Sequence, residues 1–154
     1  MYSLLLATHS LVRWLVLISL LVAVFRAYQG WLGNKPFLKS DNIIRSVTAS
    51  IAHVQFVLGI VLYCISPVVR YFLAYFKTAV HQREIRFLGM EHIAMMLIAV
   101  VLITIGSVKA KRQRTDQQRF KTMAIWFTIA LIVILASIPW QFSPLISRPY
   151  FRSF

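Results

Sequence analysis

Four stretches of the chain are apolar almost without a break, at about 4–27, 43–66, 87–108 and 122–142. Each reaches or exceeds the roughly 20 residues that a helix needs to cross a hydrocarbon core. A segment surrounded by lipid has no water to satisfy its peptide groups, so these runs are predicted to be helices. Polar punctuation separates them. The first connection, "QGWLGNKPFLKSDN", carries two glycines and a proline, with Asp41 or Asn42 as helix cap. The third, "VKAKRQRTDQQRFK", is hydrophilic and strongly basic. The second, "SPVVRYFLAYFKTAVHQREIR", differs from both. It spaces Val68, Phe72, Tyr75, Phe76 and Ala79 near helical period, with Arg70, Lys77 and Arg83 between them, which predicts a short helix lying at the membrane interface. The expected fold is all-α, an integral-membrane up-down four-helix bundle with that interfacial helix between its second and third spans. No internal repeat or second domain interrupts it, so 1–154 reads as a single transmembrane domain.

Composition agrees with the pattern. Hydrophobic residues make up 59% of the chain and the mean hydropathy is +0.72, outside the range of ordinary soluble domains. Lys and Arg number 17 against 4 Asp and Glu, a basic excess that flanks the apolar runs. Flanking charge orients a chain in an anionic membrane, and this placement argues against a nucleic-acid partner. Connections one and three hold Arg26, Lys35, Lys39, Arg45, Lys109, Lys111, Arg112, Arg114, Arg119 and Lys121, ten cations in all. The opposite side holds six, Arg70, Lys77, Arg83, Arg86, Arg148 and Arg152. The bias predicts a multi-pass protein of a bacterial inner membrane with both termini outside. Trp31, Tyr71, Tyr75 and Trp140 fall near span ends, as aromatic belts do. The N-terminal run lacks a basic start and a clean cleavage site, so the first span is expected to be retained. The lone Cys64 permits no intrachain disulfide and reads as a packing residue.

Ionisable groups inside spans are costly and therefore mark candidate sites. There are five: His9, Arg13, His53, Glu91 and His92. His9 and Arg13 stand four apart on one helical face, whereas Glu91 lies on the face beside His92. Measured from the span midpoints, His9 and His92 are both displaced by about five residues, or roughly 7 Å, toward the outer side, while His53 is near mid-membrane. In a four-helix bundle the first and third helices are commonly diagonal, so two level histidines there face each other. That geometry suits the two axial imidazoles of a b-type haem, with Arg13 available to a propionate and Glu91 available to orient an imidazole or pair with Arg13. Three imidazoles in the spans limit the chain to one haem, and His81 falls in the outer connection. Met95 and Met96 can ligate in principle but read as packing. Two alternatives stand beside this one. His9, His53 and His92 with Glu91 could hold zinc, copper or iron, if the offset of His53 is closed. The same polar groups could also serve only as interhelical hydrogen-bonding contacts. Nothing resembles a hydrolase triad, a phosphate-binding loop or a dinucleotide fingerprint, which favours an electron-transfer protein over a stand-alone enzyme.

"THSLVRW" in the first span, "HVQFVLGIVLYCISP" in the second, "EHIAMMLIAVVLITIGSVKAK" in the third and "SIPW" after the fourth together resemble small bacterial four-span membrane proteins labelled cytochrome b-like. The likeness covers nearly the whole chain and is weakest around 29–42 and 67–86. It implies a haem-linked or respiratory setting, with His9, Arg13, His53, Glu91 and His92 as candidate haem or metal residues. A quinone or a larger membrane complex is then the expected partner. Two-haem cytochrome b bundles usually use four histidines, a pattern from which this sequence departs.

Overall fold

The computed structural model describes residues 1–138. Trp140, Arg148, Arg152 and the rest of the C-terminal tail lie outside the described residues. The chain is helical throughout its elements: α1 (Tyr2–Leu32), α2 (Lys39–Ile65), α3 (Pro67–Ala74), α4 (Phe76–Ala79), α5 (Arg83–Arg86), a π-helical turn (Phe87–Glu91), α6 (His92–Arg112) and α7 (Asp116–Ser137). Four helical stretches, Tyr2–Leu32, Lys39–Ile65, Arg83–Arg112 and Asp116–Ser137, are long and apolar enough to cross a membrane.

All four begin ahead of the apolar runs expected at 4–27, 43–66, 87–108 and 122–142, because charged ends that leave hydrocarbon stay helical when a cap closes them, while α7 ends at Ser137, short of the expected 142. At the start of α7 the Thr115 hydroxyl accepts from the Gln118 amide (3.3 Å), so the polar turn Asp116–Arg119 belongs to the helix. Asp41 caps α2 from its third position, accepting from the Leu38 amide (3.0 Å) and from Arg26 Nη2 (2.8 Å). α1 closes with Asn34 in the left-handed region (φ 48°) and Lys35 N–H returning to the Gly30 carbonyl (3.1 Å). That is a Schellman-type end with asparagine where glycine is usual. After α2, the Ser66 side chain accepts from the Val69 amide and Pro67 begins α3, so the second connection is helical in three short pieces.

Each long helix packs on two others: α1 on α2 and α7, and α6 on α2 and α7. Alanines and glycines bring the backbones close, as membrane helices require where no hydrophobic force separates lipid from protein. Ala23 and Ala27 of α1, Ala99 and Ala110 of α6 and Ala124 and Ala130 of α7 are all buried. A Cβ on Gly30 would overlap the Phe120 ring, and one on Gly106 would overlap Trp126. Outward positions are just as apolar, including Leu15, Ile18, Phe25, Val57, Leu97 and Ile132. Helices apolar on every side need an apolar solvent, which is the physical case for a membrane protein.

Candidate functional site

Of the five ionisable residues expected in the spans, the structure brings His9, Arg13 and His92 to one place. They line a cavity of about 210 Å³ whose other walls are chiefly apolar, among them Leu6, Phe56, Ile93, Met96 and Ile134. The two imidazoles come from α1 and α6, each of which packs chiefly on α2 and α7, and lie within electrostatic reach across the space.

His9 is set by α2. The Gln55 amide donates to the His9 backbone carbonyl (2.9 Å), tying the helices together at this level. One turn further along α2, a Cβ on Gly59 would stand 3.3 Å from His9 Cε1, so the missing side chain makes room for the ring. Two buried polar atoms here have no partner among the described residues, His9 Nδ1 and Gln55 Oε1. Orphans of this kind cost about 1–3 kcal/mol each, so they mark a place built for something polar or ligating. Arg13, one turn along α1, bonds Ser10 Oγ (3.4 Å) and lies over the Trp14 ring.

His92 is set by α7 and by the turn that precedes it. Its Nδ1 is 3.0 Å from the Ser137 carbonyl, which can only accept, so Nδ1 carries a proton and donates it there. Ser137 ends α7, where backbone carbonyls have no partner within the helix, and the imidazole supplies one. Anchoring one ring nitrogen on a carbonyl is how proteins orient a histidine that ligates through the other. The π-helical turn directly before His92 inserts an extra residue, and the Gly89 carbonyl within it accepts from Tyr63 Oη of α2 (2.8 Å). Gly89 also admits the Phe72 ring of α3, which any Cβ there would strike.

His53 and Glu91 are placed elsewhere. His53 is exposed on α2 and its Nε2 lies 2.8 Å from Thr104 Oγ1 of α6. The threonine hydroxyl donates to the Val100 carbonyl (2.7 Å), so the imidazole is the donor. Gly59, beside His9, is six residues further along α2, about 9 Å of helical rise. The offset from the His9 and His92 pair that the sequence predicts is therefore not closed. Glu91 binds Arg86 (2.7 Å) rather than Arg13, in a pair about one-third exposed. Among the described residues no three His, Cys, Asp or Glu side chains gather in a way that could hold a metal ion. Met96 lines the cavity as packing, and Cys64, read from the sequence as a packing residue, is exposed on α2.

Gln55, Gly59 and Ser137 were not among the expected site residues. The first two had a visible signal, a lone amide and a lone glycine in an apolar span, whereas Ser137 acts through its carbonyl and left none. Comparison with known protein families finds no matching family model, and neither curated proteins nor solved structures give a match.

Proposed function

We infer that this chain is a small b-type cytochrome of a bacterial inner membrane, an up-down four-helix bundle with both termini outside and α3–α5 lying along the outer interface. The observation that carries the reading is the shared cavity: imidazoles from α1 and α6 line it together, one anchored through Nδ1 and the other with a buried, unpartnered Nδ1. Two imidazoles lining one cavity are a donor set that would suit a b-type haem, and Gly59 leaves room beside the His9 ring. A tetrapyrrole is larger than the cavity, and of the side chains that line it Met96 is the kind that would repack most readily around one.

In this arrangement His9 and His92 are the ligands. Ser137 fixes the His92 tautomer, Gln55 fixes the height of His9, and Arg13 supplies positive charge for a carboxylate substituent. His53 and Glu91 support helix packing. Bound haem would supply one-electron transfer, to or from a quinone or a partner subunit. The test is haem content: protein purified from haem-replete cells is expected to give about one pyridine haemochrome per chain, and none would overturn the reading.

One observation favours a second reading. His53, Glu91 and Asp41 are all satisfied within the chain, as polar groups that serve packing would be. An accessory or assembly subunit of a larger membrane complex, with the polar cluster structural or holding a transition metal, would co-purify at fixed stoichiometry without haem.

A further inference from the structure

At the far end of the helices from His9 and His92, the first and third connections meet around a second cavity of about 260 Å³. Lys39 at the start of α2, Lys111 at the end of α6 and Arg119 in the first turn of α7 line it, with Asn42, Phe37 and Leu38. We propose that this pocket binds the phosphate group of an anionic phospholipid.

The polar side-chain groups offered to the pocket are donors. The Asn42 amide is oriented by Arg45, whose Nε and Nη2 both bond Asn42 Oδ1 (3.2 and 2.9 Å), so the NH2 is the group left to donate. Arg119 is held by the Gln113 carbonyl (3.1 Å) and lies over the Phe37 ring, which itself packs on Phe120. Asp116, 3.6 Å from Arg119, offsets part of its charge but does not line the cavity. Lys39 and Lys111 make no hydrogen bond or ion pair with any described residue, and no carboxylate lines the pocket to neutralise them. Three cations and an amide around one open pocket select an anion, and a guanidinium held in place beside two ammonium groups suits a phosphate.

The apolar part of the surroundings assigns the source. Phe37 and Leu38 line the same cavity as the cations, and Leu38, just before α2, is about half exposed there. A free phosphate makes no use of them, whereas the glycerol and acyl chains of a lipid lie against such residues. A basic pocket where helices emerge from the membrane is where headgroups are held.

The test is lipid retention by the full chain in detergent, read by native mass spectrometry after exposure to equal amounts of phosphatidylglycerol and phosphatidylcholine. Phosphatidylglycerol is expected to be retained preferentially, and Lys39→Gln with Lys111→Gln to weaken that retention by about 25-fold, two cations at about fivefold each. The pair Lys77→Gln with Arg83→Gln, in the second connection, is expected to leave retention unchanged. Equal retention of the two lipids, or an equal loss in both double variants, would overturn the proposal. Millimolar inorganic phosphate is expected to leave the lipid bound, and its full displacement would overturn the assignment to a lipid.

Discussion

At the scale of single residues, Gln55 shows how a buried group can be poorly placed for stability and well placed for a ligand. Its NH2 makes one bond to the His9 carbonyl while its Oε1 faces the cavity wall unpaired. A lost bond costs about 1 kcal/mol and a relieved orphan returns about as much or more. Gln55→Leu is therefore expected to melt in detergent at the same temperature as the parent or slightly higher when haem-free, and to release haem faster to a competing apoprotein. A variant that simply unfolds at lower temperature, with haem release unchanged, would assign Gln55 to packing alone. The ionisable members of the site were legible in the sequence, because His9, Arg13 and His92 stand out in apolar runs and counting along each span gives their depth. The facing of His53 was not. In lipid the outward side of a helix is apolar too, so the side to which a single polar group such as His53 turns is decided by its neighbours in the bundle.

At the scale of elements, the π-helical turn accounts for the pairing of Glu91 with Arg86 rather than with Arg13, one of the two roles the sequence offers it. A π turn takes in about one residue more than an α turn, so residues five apart come onto one side. Glu91 then meets Arg86. The same turn carries Gly89, against which Phe72 packs, so α3 is held to the third span by a contact that only glycine allows. Gly89→Val is expected to cost about 1–3 kcal/mol, as overpacking does, and to make the connection at 67–86 the first site of proteolysis. Unchanged melting and cleavage would show that α3 is not held there. Element boundaries were legible only where the apolar pattern stops. Capping by Thr115 extends α7 through charged sequence, which the hydropathy pattern does not register, whereas Asp41 was legible as a cap and serves as one from the third position of α2.

At the scale of the molecule, all-helical architecture and four membrane-length helices were legible because hydrophobic length is the main determinant of both. Which helices pack on which was set by glycine and alanine contacts such as Gly106 against Trp126, and these carry little signal in one sequence. The charge bias predicts orientation. In a Cys64→Ser background, a cysteine introduced at Gln113 is expected to be labelled by an impermeant thiol reagent only in inverted vesicles, and one at Gln82 only in intact cells. The reverse pattern would invert the topology. The central claim is that His9 and His92 form one ligand pair, and the optical spectrum of the purified protein with its histidine variants tests it most directly. A low-spin haem spectrum is expected in the parent and in His53→Ala, and is expected to be lost in His9→Ala and in His92→Ala. A parent protein without a Soret band, or a low-spin spectrum that survives in both of the latter variants, would contradict it.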